Sequence, residues 1–321
     1  MARVLTITLN PALDLSVETP PIRLGEVNRT ERTQLDAAGK GINLARVLRR
    51  LGHEVMVSGL MGLDNAAPFE QLFADEGLED HFLRVPGTSR TNVKLAETGG
   101  RVTDLNGTGF DTPADALNRL QFRLSPLLGD CDAVAIAGSL PLGFAPEKLA
   151  GLIRRCAEAD RPVWLDTSGP ALTAGIRARP SGVKPNNEEL AEWAGRPLPD
   201  LTAQADAGRQ LQQSGIAHVV ISRGPEGVLW LNPRRDLLAR APQVPVVSTV
   251  CAGDTLLAGL LHGELSGLSD FDTLQLATAL SAECVRHVGV GNPDADDFLQ
   301  LQQHTRVTPW PDTTLSGEAS S

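Results

Sequence analysis

Short unbroken apolar runs recur along the chain, at Val4–Leu9, Val55–Gly62, Ala133–Ala137, Val163–Asp166 and His218–Arg223, with a shorter one at Gly182–Lys184. Between them, apolar positions fall three and four apart. Leu44, Val47, Leu48 and Leu51 share one face of a segment opening at Lys40, and Pro146–Glu158 repeats the pattern. Unbroken runs mark strands buried on both faces, and the 3.6-residue period marks the helices that cover them. The alternation predicts an α/β fold around a mostly parallel sheet. Further helices are expected from Asp64 through Phe73, near Asp272–His287 and around Pro293–Gln303. Val228–Leu231 should run back antiparallel on the strand before it.

Two stretches depart from this pattern. Residues 12–35 alternate apolar and polar positions, carry Pro20-Pro21 and lack a helical period. Residues 90–106 read as a hairpin, with Thr91–Thr98 and Arg101–Asn106 flanking Gly99-Gly100. Both are expected to form small exposed strands rather than core. Arg90, Asn92 and Lys94 sit at alternate positions and so share one face. Residues 1–304 are expected to form one domain, and 305–321, polar with two prolines, a flexible tail.

Length and charge narrow the function. At 321 residues the chain can bury a large core, and a net charge of −10 disfavours nucleic acid and anionic membranes as partners. No apolar run is long enough to span a bilayer, and the first one breaks at Asn10-Pro11, too early for a signal peptide. Cys131, Cys156, Cys251 and Cys284 form no CxxC, which fits a reduced, cytoplasmic chain. Lysine occurs only at 40, 94, 148 and 184 among 29 basic residues. Positions where arginine serves equally well have mostly become arginine, so the remaining lysines are enriched for sites that need a compact ammonium.

Three of those lysines fall in segments with chemistry. The stretch Val246–Gly263 reads as a short apolar strand, a tight turn at Cys251-Ala252-Gly253, and a helix with Asp254 at its mouth. Unpaired N–H groups at a helix start form an anion site. A carboxylate beside an anion site suits phosphoryl transfer to a hydroxyl, although Asp at a helix start is also an ordinary cap. Lys40 lies in Ala38-Gly39-Lys40-Gly41-Ile42-Asn43, a glycine-rich helix entry that is neither a P-loop nor a dinucleotide fingerprint. Gly138-Ser139, Asp166 and Lys184 close predicted strands, where ligands of such sheets collect. Asn186 and Glu189, three apart at a helix start, suit a hydrated Mg²⁺ and equally an N-cap with acids in its first turn. Ser222–Gly227 is a glycine-flanked turn open to phosphates or ribose.

These segments, in this order, resemble the PfkB/ribokinase family of carbohydrate kinases from about residue 3 to about 300. The strongest carriers are Gly39-Lys40-Gly41-Ile42-Asn43 and Ala252-Gly253-Asp254-Thr255, with Lys184-Pro185-Asn186 and Glu189 between. LNPALD, GEVNR, TRTNVK and KPNNEEL resemble its phosphosugar branch. The resemblance implies a three-layer α/β/α sandwich with a β-sheet lid built from residues 12–35 and 90–106. It implies ATP-dependent phosphorylation of fructose 1-phosphate to the 1,6-bisphosphate, with tagatose 6-phosphate or fructose 6-phosphate as alternatives. A ribose or nucleoside kinase and an inert ribokinase-like binding protein stand further off.

By position, the resemblance makes Asp254 the catalytic base and Cys251, Ala252 and Gly253 its anion hole. Asp14, Gly39, Lys40, Asn43, Arg90 and Ser139 become contacts of the phosphosugar, and Lys94 joins Lys40 and Arg90 on the separate ground that a phosphosugar needs positive charge in an acidic chain. Lys184, Asn186, Ser222, Gly224, Gly227, Thr249 and Gly253 go with ATP, and Asn186 and Glu189 with Mg²⁺; K⁺ is left open. A homodimer through the lid is implied, with Arg29 reaching the neighbour's phosphate. Two departures stand out: Cys251 and Ala38 replace the usual first glycines. Either is strained if its position needs positive φ. If the empty site is open to solvent, a Cys251 thiol at a helix N-terminus is expected to ionise readily; the alternative is a small buried filler.

Overall fold

Strands whose residues are apolar on both faces need cover on both sides, and the computed structural model, which describes residues 1–311, supplies it. The chain opens with β1 (Arg3–Thr8) and leaves the main sheet for β2 (Ala12–Thr19) and β3 (Arg32–Ala38). It returns through α1 (Lys40–Arg50), β4 (Glu54–Gly62), α2 (Ala67–Glu76), β5 (Glu79–Asp80) and β6 (Leu83–Val85). The hairpin β7 (Arg90–Glu97) and β8 (Val102–Asn106) leaves the sheet again. Then follow α3 (Ala116–Gly129), β9 (Ala133–Ala137), α4 (Pro146–Ala157), β10 (Val163–Asp166), α5 (Gly169–Arg177) and β11 (Gly182–Val183). After α6 (Asn187–Ala194) and α7 (Leu201–Gln213) come β12 (His218–Ser222), β13 (Val228–Leu231) and β14 (Leu237–Arg240). The described chain closes with α8 (Ala252–Leu265), α9 (Asp270–Cys284), α10 (Phe298–His304) and β15 (Arg306–Pro309).

The main sheet runs β15-β14-β13-β12-β11-β10-β9-β1-β4-β5, with β6 also on β4. The pairs from β12 through β5 are parallel, and β12 to β15 pair antiparallel. Two cores result. Leu5, Ile7, Val134, Ile136, Leu165 and Val219 point to one face with α3 to α7, while Val4, Ala135, Trp164 and Val220 point to the other with α1, α2, α8, α9 and α10. This is the expected three-layer α/β/α arrangement.

The second sheet, β3-β2-β7-β8, pairs β2 with β7 in parallel and the outer pairs antiparallel. Its register separates two faces. Leu35, Leu15, Val93 and Leu105 line up across the four strands, and the next row is Asp36, Asp14, Asn92 and Asn106. The period of two puts the apolar row on one face and the acid-amide row on the other.

Three expectations need correction. Val246–Val250 forms no strand: Val246 and Val247 are 63% and 64% exposed, and the amides of Val247 and Ser248 donate to the Val285 carbonyl. Beyond Thr305 the chain stays in the sheet, because β15 pairs with β14 and buries Val307. The rest of the expected tail, 312–321, lies outside the described residues. The helices near the end are shifted, to Asp270–Cys284 and Phe298–His304.

Candidate active site

A cavity of about 360 Å³ opens where the parallel strands end and the second sheet stands over them. Its wall takes Ala12, Asp14, Arg90 and Asn92 from β2 and β7, and Gly39, Lys40 and Asn43 from the start of α1. Across from these stand Lys184, Asn186, Glu189 and Ser222, with Thr249, Val250, Cys251, Gly253 and Asp254 at the start of α8. Segments more than 200 residues apart meet here: the Asn43 amide donates to Asp254 Oδ2 at 2.9 Å over a separation of 211 residues.

Asp254 is the third residue of α8 and 6% exposed. Burial pushes its carboxyl up to about 6, helped by the charge of Asp166 and opposed by Lys40, the Asn43 hydrogen bond and Lys184. The first intrahelical bond of α8 runs from the Thr255 N–H to the Cys251 carbonyl at 2.8 Å. The amides of Gly253 and Asp254 therefore precede it and face the cavity mouth. A Cβ on Gly253 would stand 3.1 Å from Lys184 Nζ, so the ammonium lies close against this glycine, where a side chain would crowd it. Amide donors, a helix N-terminus and an ammonium thus converge beside one buried carboxylate.

Asp166, at the end of β10 and 1% exposed, holds two lysines. Lys40 Nζ lies 3.0 Å from Oδ1 and Lys184 Nζ 3.0 Å from Oδ2. Burial alone would raise its carboxyl, yet the two ammonium groups hold it below the usual carboxylate range. Asp166 in turn pushes Lys40 further into its charged form. On the lid side the Asn92 amide donates to Asp14 Oδ1 at 2.9 Å. Burial raises Asp14 and lowers Arg90, and the Arg90 Nε is buried without a partner.

The cavity gathers Asp14, Gly39, Lys40, Asn43, Arg90, Lys184, Asn186, Glu189, Ser222, Thr249, Cys251, Gly253 and Asp254, all singled out from sequence. Others stand off its wall. Lys94 shares the face of Arg90 and Asn92 but lies farther along β7, opposite Ser16. The Ser139 hydroxyl accepts from the Asn10 amide at 3.1 Å. Ala252 sits within the helix start, and Gly224 and Gly227 shape the turn after β12. At Gly227, φ is 104° and a Cβ would stand 2.0 Å from the Ala239 carbonyl oxygen, so its glycine is a backbone requirement.

Asn186 and Glu189 form a capping box: each side chain accepts from the other's backbone N–H, at 2.8 and 2.9 Å. The capping alternative is thus realised, and it still leaves carboxylate lone pairs facing the cavity. Of the two departures, Cys251 does adopt φ 67°, whereas positive φ falls on Gly39 rather than Ala38. The expectation of a readily ionised Cys251 is reversed: burial, and then the Asp254 charge, push the thiol up. Sequence left Asp166 as a strand-end acid and Asn92 as part of a polar face. A buried charge at a strand end, with lysines elsewhere and few in number, was the available signal.

A buried carboxylate beside an anion cradle at the ends of parallel strands is an arrangement for phosphoryl transfer to an alcohol. Residues 7–297 match the pfkB family carbohydrate kinase pattern, and the chain belongs to that family. It is therefore an ATP-using sugar kinase. It is 45% identical over 309 residues to the 1-phosphofructokinase of Escherichia coli, covering 96% of this chain and 99% of that protein. It is 44% identical over 306 residues to the 1-phosphofructokinase of Vibrio cholerae, covering 95% and 96%. Among solved structures, phosphofructokinase-2 from Escherichia coli in complex with potassium superposes with a TM-score of 0.86 at 26% identity, over 94% of this chain and 99% of that one.

Proposed function

We propose that this chain transfers the γ-phosphoryl group of ATP to the free primary hydroxyl of fructose 1-phosphate, giving fructose 1,6-bisphosphate and ADP. The observation that carries this is Asp254, buried at the start of α8 beside free amides and two lysines. The near full-length likeness to two 1-phosphofructokinases supports the choice of substrate. The cations supply the positive charge that a phosphosugar needs in a chain of net charge −10.

Asp254 takes the proton of the attacking hydroxyl as its oxygen bonds to the γ-phosphorus. The bond to the bridging β–γ oxygen breaks and ADP leaves. The Gly253 amide and Lys184 stabilise charge on the transferring group, where donors aimed at developing charge contribute most. Lys40 and Arg90 hold the sugar phosphate, and Asp14 and Asn43 orient the hydroxyls. Glu189, with Asn186, suits a hydrated Mg²⁺ because its capped carboxylate keeps free lone pairs. Mg²⁺ supplies charge neutralisation on the nucleotide phosphates. Potassium, bound in the phosphofructokinase-2 structure, is an activator to test by exchange against sodium.

The apolar lid row, with Leu35 and Leu105 50% and 54% exposed, supports pairing with a second copy through the lid. No helix among the described residues is long and apolar enough to cross a membrane, and four free thiols suit the cytoplasm.

The test is ADP release with fructose 1-phosphate, fructose 6-phosphate, tagatose 6-phosphate, ribose and adenosine as acceptors. Fructose 1-phosphate should give the highest kcat/KM. A preference for an unphosphorylated acceptor would overturn the proposal.

A further inference from the structure

Asp166 stands behind the cavity wall rather than on it, and the chemistry above gives it no step. It is nonetheless held from both sides. Lys40 comes from α1, beside the lid residues, and Lys184 from the turn before α6, close against Gly253. Each ammonium lies 3.0 Å from a different oxygen of the one carboxylate. A fully buried charge persists only when paired, and two ammonium groups this close need a negative charge between them.

We propose that Asp166 is a positioning residue joining the two halves of the site: its carboxylate fixes one ammonium on the sugar side and one on the nucleotide side. This rests on Lys40 serving the sugar and Lys184 the nucleotide. Each ammonium is held at 3.0 Å by its own oxygen of that carboxylate, so neither can shift without the other feeling the change in their shared partner.

Removing the Asp166 charge frees both ammonium groups. In Asp166→Asn, both KM values should rise about 3–10-fold although the side chain touches neither substrate. Lys40→Met should raise the sugar KM alone. Adding Asp166→Asn to Lys40→Met should raise the sugar KM little further, because the ammonium that Asp166 holds is already gone, whereas a merely loosened site would add its own rise.

The experiment is kcat and both KM values at neutral pH, each substrate varied with the other saturating, for the wild type and these variants, with Tm recorded for each. A change confined to one KM in Asp166→Asn, or fully additive sugar KM changes in the double variant, overturns the proposal. Asp254→Asn with near-normal turnover instead overturns the base assignment and leaves the paired KM test standing. If Asp166→Asn does not fold, Asp166→Glu carries the test, and both KM values should rise about 3–10-fold from displaced ammonium groups. Unchanged KM values in that variant overturn the proposal.

Discussion

Arg90→Met removes the cation best placed to be free for a substrate phosphate. Lys40 is committed to Asp166 at 3.0 Å. Arg90 makes no ion pair with a carboxylate among the described residues, and its Nε is buried without a partner. Burial lowers the guanidinium, opposed by Asp14, so the charge is held in a site that lacks full compensation. A phosphate dianion arriving there gains a charge-assisted bond without displacing an existing one. Such bonds contribute on the order of 1.5–3 kcal/mol. At 1.4 kcal/mol per tenfold, the fructose 1-phosphate KM should rise about 10–150-fold. The ATP KM should stay within about twofold, because Arg90 lies on the lid side, away from Lys184 and Ser222. Lys94→Met, off the cavity wall on the same strand face, is the control, with a KM change below about threefold. Steady-state ADP release with each substrate varied in turn gives both constants. A rise in the ATP KM with an unchanged sugar KM would assign Arg90 to the nucleotide and refute the placement.

Further outcomes follow from the same geometry. Asp254→Asn should lower kcat at least about 10²-fold while ATP still binds, measured by turnover and by nucleotide titration. Because burial raises Asp254 to about 6, wild-type kcat should fall with falling pH below that value as the base becomes protonated. A flat profile from pH 5 to 7 would contradict it. Cys251→Gly removes left-handed backbone strain of about 1–2 kcal/mol against a glycine entropy cost of about 0.5–1 kcal/mol. It should keep activity and leave Tm equal or higher. Iodoacetamide should label Cys251 slowly at pH 7, since burial opposes its thiolate. Leu35→Asp/Leu105→Asp should convert a sedimenting dimer to a monomer; an unchanged wild-type monomer would remove the lid pairing.

Local pattern carried most of the fold because the central strands are apolar on both faces. Val163–Asp166 and Ala133–Ala137 fall where the runs placed them, and the lid strands follow their period of two. What escaped depends on partners distant in sequence. Val246–Val250 has strand composition but finds no strand to pair with, so its valines remain exposed. Arg306–Pro309 is short and proline-bounded, and only the open edge of β14 makes it a strand. In the site, the glycine-flanked lysine and the Asp254 turn were legible because backbone requirements leave a mark in sequence. Asp166 was legible only as an acid at a strand end where ligands collect, and its pairing was not, because that depends on two lysines from other segments. Lys94 was drawn in with Arg90 because alternation gives a face but not a distance along the strand.

The most direct measurement of the central claim is identification of the product from fructose 1-phosphate. The purified chain is incubated with Mg·ATP and fructose 1-phosphate, and the mixture is followed by ³¹P and ¹³C NMR. Transfer by Asp254 predicts stoichiometric ADP and a new phosphate ester on the sugar's remaining primary hydroxyl carbon, absent with Asp254→Asn. ADP formation independent of the sugar, or no ester at that carbon, would contradict the account.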